Sequence, residues 1–205
     1  MKNKILAVAL LSALTTTATA EGLYAAVDVG QSTAKDACTN AAAAGMSCNE
    51  KATAFRFGGG YQFTPNFGIE ANYGILGSAK ASGTDTTSIP GSTITINMDI
   101  KPTTLQVAAT GQFPITDSFS LIGKLGIART TLKLNATGSI SGVTVSIPEQ
   151  SSTSTNPAFG IGGQYDFSKN IGVRAQYENF GEVGDDVNTP KFKLSLISAG
   201  LVLKF

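Results

Sequence analysis

The sequence predicts an all-β fold: an eight-stranded antiparallel up-and-down transmembrane β-barrel with short periplasmic turns and long extracellular loops. Three observations lead to this prediction. Apolar residues alternate with polar or small residues in eight segments, a pattern typical of strands that meet an apolar medium on one face. Short and long connections alternate along the chain. After residue 20, no apolar run approaches the roughly 18 residues that a membrane-spanning helix needs.

The first twenty residues indicate a secretory signal peptide that precedes the fold. Two lysines near the start are followed by a short apolar run over 5–14 and by a small-residue cleavage site at 18–20. We therefore expect residues 1–20 to be removed and residues 21–205 to form a single barrel domain.

The charge of the mature chain is close to neutral. Without Lys2 and Lys4, 13 of the 15 basic residues remain against 14 acidic residues. This balance argues against nucleic acid as a partner. An exported chain meets an oxidising compartment, so a disulfide is expected between Cys38 and Cys48. The sequence has no histidine and no third cysteine, so we expect no metal site and no cofactor.

Eight segments have about the length, ~9–11 residues, that a tilted strand needs to cross the hydrocarbon layer. They are 22–31, 53–63, 67–76, 103–113, 119–128, 157–167, 171–178 and 197–205. Three short turns, at 63–67, 113–119 and 167–171, join neighbouring segments at one end. The longer polar stretches are predicted to be the external loops: 32–51, 78–100, 130–156 and 181–192.

The two faces of these segments differ in charge. The outward positions carry no charged residue. Aromatic residues at their turn ends are predicted to form an interfacial girdle: Tyr61, Phe63, Phe67, Phe113, Phe119, Tyr165, Phe167 and Phe205. The inward positions carry four acids and four bases: Asp28, Arg56, Glu70, Lys124, Asp166, Arg174, Glu178 and Lys204.

The inward charges predict a lumen filled by salt bridges. Charges in a low-dielectric interior must be paired, and an eight-stranded barrel is just wide enough for its side chains. The predicted network consists of Asp28, Arg56, Glu70, Lys124, Arg174 and Glu178. Depth counted from the turn end places Glu70 with Arg174, Asp28 with Lys124, and Arg56 with Glu178. A proton or ion path through this network is the alternative.

Apolar character changes faces in three places, near residues 101–104, after Ile127 and before Ile197. A strand that leaves the bilayer explains this change, because its outer face then meets water while its inner face packs against its neighbours. We therefore predict that the fourth, fifth and eighth strands continue beyond the bilayer and form an apolar plug in the upper lumen. The predicted plug residues are Ile94, Ile96, Met98, Ile100, Leu132, Leu134, Phe192, Leu194 and Leu196.

Three segments carry a family resemblance. Residues 67–77 resemble the third strand of the OmpA-like transmembrane barrels, and residues 171–177 resemble the seventh. The end of the chain is similar to the C-terminal signal read by the barrel assembly machinery, with Leu201, Leu203 and Phe205 as its apolar positions. The resemblance implies an eight-stranded outer-membrane barrel with Glu70 and Arg174 in its lumenal network. The layout is closer to the stand-alone OmpX-type barrels, and no peptidoglycan-binding domain is expected.

The resemblance also implies a set of partners. Outer-membrane lipids and lipopolysaccharide would surround the barrel, and the barrel assembly machinery would insert it. The loops could meet an external ligand or a host surface.

Several functions remain open from the sequence. Enzymes among small outer-membrane barrels resemble one another in using a histidine with a serine, and this chain has no histidine, so we expect no enzyme activity. The first hypothesis is a barrel that supports the envelope and displays its loops. The second is a narrow pore or a transporter for small or apolar molecules. The third is a soluble periplasmic ligand-binding barrel, with the apolar set turned inward.

Overall fold

A computed structural model of the chain describes residues 22–38, 47–85, 94–140, 143–185, 189 and 191–205. The predicted signal peptide, residues 1–20, lies outside these residues. The described chain forms ten strands: β1 (Gly22–Lys35), β2 (Ser47–Asn49), β3 (Lys51–Gln62), β4 (Phe67–Ile75), β5 (Ala79–Asp85), β6 (Ile94–Pro114), β7 (Phe119–Ile140), β8 (Val143–Asp166), β9 (Ile171–Val183) and β10 (Phe192–Lys204). Within the same residues, no helix has the length and apolar character of a membrane span.

Eight of the described strands close into a ring. Its order is β6-β4-β3-β1-β10-β9-β8-β7, and pairing of β6 with β7 completes it. Every pairing in the ring is antiparallel. The predicted eight-stranded barrel is therefore confirmed. The two remaining strands widen the sheet at the loop end, where β5 pairs with the outer part of β6 and β2 pairs with β5.

The three predicted turns share one construction. A hydroxyl oxygen, from Thr64, Thr116 or Ser168, accepts the backbone N–H groups two and three residues further on, at 3.0–3.3 Å. This bonding satisfies turn donors that the strands cannot reach. Each turn is also hydrogen-bonded to a neighbouring strand end. The carbonyl oxygens of Asn66, Ser118 and Asn170 accept the N–H groups of these strand ends. The periplasmic rim is thus a continuous hydrogen-bonded belt.

The alternation of side chains gives the wall an apolar outside and a polar inside. Outward positions such as Leu125, which is 69% exposed, carry large apolar side chains along every ring strand. The third hypothesis, with the apolar set facing inward, is therefore wrong. Six members of the predicted aromatic girdle are exposed at the turn end, while Phe119 and Phe205 are half-buried. Phe119 is covered because its ring lies over Gly163, where a β-carbon would come within 3.0 Å of it.

Two stretches of the external connections are the strand extensions that the sequence predicted, and a third is strand that it did not predict. Residues 130–140 continue β7, residues 143–156 belong to β8, and residues 94–100 belong to β6. The extensions of β6 and β7 agree with the predicted continuation of the fourth and fifth strands. Residues 143–156 looked like a loop because Ser and Thr occupy both faces over 151–155. A polar face does not end a strand, however, since the backbone N–H and C=O groups still need partners beyond the lipid. The pairing of β6 with β7 runs from Ile94 to Pro114 without a register shift.

Candidate functional site in the barrel lumen

Glu70 on β4 lies at the centre of the lumen and is held by four donors. The Nζ of Lys124 lies 2.6 Å from Oε1, and Nη1 of Arg174 lies 2.7 Å from Oε2. The amide of Asn72 donates at 2.7 Å, and the hydroxyl of Tyr24 donates at 2.8 Å. Two cations and two neutral donors therefore satisfy one buried carboxylate.

Asp28 on β1 is the second centre and receives two guanidinium groups. Arg174 donates through Nε to Oδ1 at 2.9 Å and through Nη2 to Oδ2 at 2.8 Å, a bidentate contact. Arg56 donates to Oδ2 through Nε at 3.0 Å. Arg56 also forms an ion pair with Glu178, whose other oxygen lies 3.8 Å from Lys124. The three acids and three bases thus form one electrically neutral cluster.

The structure brings all six predicted network residues together but changes one pairing. Glu70 lies against Arg174, and Arg56 lies against Glu178. Asp28 pairs with the two arginines instead of with Lys124. Depth counting along the chain fails here because the strands are tilted and staggered around the barrel. The remaining predicted charges, Asp166 and Lys204, form a separate, partly exposed pair near the periplasmic rim at 2.7 Å.

The sequence reading missed the neutral members of this site. Tyr24, Asn72 and Gln106 lie around Glu70, and Gln176 reaches Asp28 at 3.5 Å. All four occupy inward positions, so the alternation that located the charges could have located them as well. Tyr24 fits because it lies over Gly60, where a β-carbon would come within 2.5 Å of the tyrosine ring and hydroxyl.

An apolar cluster closes the lumen on the loop side of the charges. It includes five of the predicted plug residues as buried members, with Leu134 packed beside them: Ile100, Leu132, Phe192, Leu194 and Leu196. It also contains residues that the sequence reading missed, among them Leu76, Phe180 and Val183. Phe180 keeps the inward alternation of β9 but lies beyond residue 178, where the predicted segment ends. Val183 escaped notice because Gly181, with a positive φ, shifts the alternation after Phe180.

Three predicted plug residues do not belong to the cluster, and this part of the prediction is corrected. Ile96 and Met98 are each 39% exposed, and Ile94 is half-buried outside the cluster. They carry the correct alternation but lie where β5, β6 and β7 rise above the end of β4. An inner face at that height has lost the opposite wall of the barrel.

The other predicted site residues lie at the two ends of the barrel. Cys38 and Cys48 form a disulfide that connects the end of β1 to β2. Leu201 and Leu203 point outward from β10 and are exposed. Phe205 is half-buried, and its N–H donates to the carbonyl of Leu23 at 2.9 Å.

Residues 5–205 match the family model described as the outer membrane protein beta-barrel domain. The chain belongs to this outer-membrane β-barrel family. The location predicted from the sequence, the cell outer membrane, and the OmpA-like resemblance are therefore confirmed.

Relatives of this outer-membrane barrel agree with the assignment. Outer membrane protein A of Salmonella typhi is 28% identical over 151 residues, which cover 72% of this chain and 38% of the relative. The chain thus spans less than two fifths of that curated relative. The N-terminal β-barrel domain of OprF from Pseudomonas aeruginosa has a TM-score of 0.54 at 12% identity, covering 90% of this chain and 99% of that domain. OprG from the same organism has a TM-score of 0.50 at 13% identity, covering 93% and 99%. At these identities the two solved structures show the fold alone.

Proposed function

We propose that the protein is a structural and surface-interaction barrel of the outer membrane, with a lumen sealed by its salt-bridge network. One observation carries this proposal. The six charged side chains of the network are between 0% and 5% exposed, although they line the interior of the barrel. A water-filled pore would leave such groups hydrated.

The pairing pattern supports a structural role for the network. Arg174 on β9 contacts Glu70 on β4, and these strands are diametrically opposite in the ring. Arg56 on β3 reaches Glu178 on β9, three strands away. Contacts across the lumen resist flattening of the barrel in a way that pairing between neighbouring strands cannot. The apolar cluster above them excludes water, which strengthens each ion pair.

Conductance separates this proposal from the narrow pore or transporter. Purified protein in a planar bilayer should give no steady current, because the charged side chains of the lumen are almost completely buried and the apolar cluster beside them opposes the entry of water. A porin of known conductance in the same membrane serves as the control for insertion. Steady channels of one defined size from the protein alone would contradict the sealed barrel and favour the pore.

The role in the envelope is tested in the cell. A strain without the gene should become more sensitive to detergent and should lose adhesion, and the intact gene on a plasmid should restore both. Unchanged detergent sensitivity together with unchanged adhesion would contradict an envelope and surface role.

We also propose that the last strand is read by the barrel assembly machinery. Phe205→Ala should slow the appearance of the folded, heat-modifiable form in outer membranes. Phe167→Ala, which removes an exposed phenylalanine at the same rim, is the control and should fold at nearly the normal rate. Equal slowing in both variants would show a general effect of the girdle and contradict a terminal signal.

A further inference from the structure

The outer wall of the barrel carries a cavity that the lumenal site does not explain. It has a volume of about 440 Å³ and lies on β5, β6 and β7. Six of its lining residues have polar side chains: Lys80, Ser82, Asn97, Asp99, Asn135 and Thr137.

Strand register places these six side chains on one face. Cross-strand partners in an antiparallel sheet project to the same side. Asp99 is opposite both Lys80 and Asn135, which gives one row. Asn97 is opposite both Ser82 and Thr137, which gives the next row. The cavity therefore lies across three strands, and these six side chains surround it on the face away from the apolar interior. Ala81 and Met98 complete its lining, which is apolar over most of its surface.

The cavity lies higher than phospholipid headgroups reach. Towards the loop end, Leu105 is the last large exposed apolar residue on this face of β6, and Asp99 lies six residues before it in the sequence. Six residues correspond to roughly 20 Å of strand, or roughly 15 Å of height at the usual tilt. The headgroup layer adds only about 5–8 Å on each side of the hydrocarbon. A membrane component that fills this cavity must extend beyond the phospholipids.

Basic residues occupy the wall between the apolar band and the cavity. Lys101 and Lys133 are directly opposite each other and about half exposed. Arg129 lies four residues before Lys133 on the same face of β7, closer to the lipid. Like charges in opposite positions destabilise a sheet. Each lysine has one acidic neighbour, Asp99 at 3.5 Å or Glu149 at 3.0 Å. With Lys80, this wall still has four bases against two acids, so it favours a bound anion.

The cavity itself offers groups that suit hydroxyl-rich ligands. A carboxylate, two amides, two hydroxyls and an ammonium group converge on it, and these can both donate to and accept from sugar hydroxyls. The Oδ1 atom of Asp99 is buried and has no hydrogen-bond partner within the described residues. A buried acceptor without a partner is costly, and a ligand hydroxyl would satisfy it.

We propose that this wall binds the phosphorylated saccharide headgroup of an outer-leaflet glycolipid of the lipopolysaccharide type. The order of groups along the wall matches such a lipid: acyl chains on the apolar band, phosphate at Lys101 and Lys133, and a sugar ring in the cavity. The inference goes beyond the proposed function, since a sealed envelope barrel needs no defined lipid site.

Binding to purified, folded protein tests the proposal. Three probes are compared in detergent by native mass spectrometry: lipid A alone, lipopolysaccharide with its core oligosaccharide, and the free core oligosaccharide. The wild-type protein should bind the core-bearing lipid about tenfold more tightly than lipid A, since tenfold corresponds to one or two net hydrogen bonds. The free oligosaccharide should bind far more weakly than either lipid.

Two double variants test the cavity and the pair of wall lysines separately. Asn97→Ala with Asn135→Ala should remove the tenfold preference and leave lipid A affinity unchanged. Lys101→Gln with Lys133→Gln should weaken both lipids by about 30-fold, at about 1 kcal/mol for each lysine. Lys35→Gln with Lys193→Gln is the matched control, because these lysines are also directly opposite each other but lie on β1 and β10, away from the cavity.

Folding of each variant is checked by its heat-modifiable shift on a gel. If the double asparagine variant does not fold, Ser82→Tyr, which fills the cavity from an exposed position, takes its place with the same expected result. The proposal is overturned if the cavity variant keeps the wild-type preference, if both lysine variants behave alike, or if the free oligosaccharide binds as tightly as the lipid. None of these outcomes depends on the envelope phenotype.

Discussion

At the scale of single residues, Arg174 connects the two carboxylates around which the lumenal network is built. Its guanidinium group joins Asp28 to Glu70 across the lumen, and the side chain is almost completely buried. A buried ion pair contributes little net stability compared with apolar packing, but removing one partner leaves the other charges unmatched. The lumen therefore depends on complete neutralisation more than on any single bond.

Replacing Arg174 tests this dependence. Arg174→Met should lower the free energy of unfolding by about 3–5 kcal/mol, because two buried carboxylates lose their shared cation. Urea unfolding of the barrel in lipid vesicles measures the change. Arg129→Met, on the exposed outer wall, is the control and should change stability by less than about 0.5 kcal/mol. Similar losses in the two variants would show that the network is not the source of the effect.

Gly60 leaves space for Tyr24, the tyrosine whose hydroxyl donates to Glu70. A methyl group there would lie 2.5 Å from the Tyr24 ring and from the carbonyl oxygen of Ile69. Gly60→Ala should therefore move Tyr24 away from Glu70 and cost about 1–3 kcal/mol in unfolding experiments. Gly123→Ala is the matched control, since no atom lies within 4 Å of its added carbon, and it should be neutral or slightly stabilising. A neutral Gly60→Ala would contradict the packing of Tyr24.

At the scale of elements, the inner faces of the β6, β7 and β10 extensions beyond the bilayer lie in two different environments. Where the opposite wall of the ring persists, their inner faces pack into the apolar cluster, as Leu132 and Leu194 do. Where β5, β6, β7 and the start of β8 extend above the end of β4, the same alternation leaves Ile96 and Met98 exposed. Identical sequence patterns thus give a core or a surface, depending on what lies across the lumen.

Two alanine substitutions distinguish the buried inner face from the exposed one. Leu194→Ala should cost about 2–5 kcal/mol, because it opens a cavity in a closely packed cluster. Ile96→Ala removes a similar apolar group but should change stability by less than about 0.5 kcal/mol, since the side chain is already partly in water. Both are measured by urea unfolding of the refolded barrel. A large loss of unfolding free energy in Ile96→Ala would show that Ile96 packs in the apolar cluster.

At the scale of the whole molecule, the barrel is a stack of layers along the membrane normal. The hydrogen-bonded rim and its aromatics form the periplasmic end, the charge network lies within the lumen, and the apolar cluster packs on the loop side of the charges. On the outside, the apolar band ends and a polar, basic wall begins. The level of the membrane is therefore set twice, by the outer face and independently by the change of packing inside.

Spin labels on β7 test this level. Leu125→Cys and Lys133→Cys both lie on the outward face of one strand, eight residues apart. A nitroxide at position 125 should be relaxed mainly by oxygen, which partitions into lipid, and one at position 133 mainly by a water-soluble nickel complex. The native cysteines form a disulfide and do not interfere. Lipid-like accessibility at both positions would place the membrane boundary higher than the outer wall indicates.

The sequence by itself determined the all-β barrel, its three turns, the direction of its faces and the six members of the charge network. These follow from alternation with a period of two, which any strand between lipid and a filled lumen must show. The tertiary structure alone decided that Asp28 meets Arg56 and Arg174 instead of Lys124, and that Phe180 joins the apolar cluster while Ile96 does not. Partners across a lumen depend on tilt, stagger and local bulges such as that at Gly181, which are properties of the closed ring and leave no mark on any single strand.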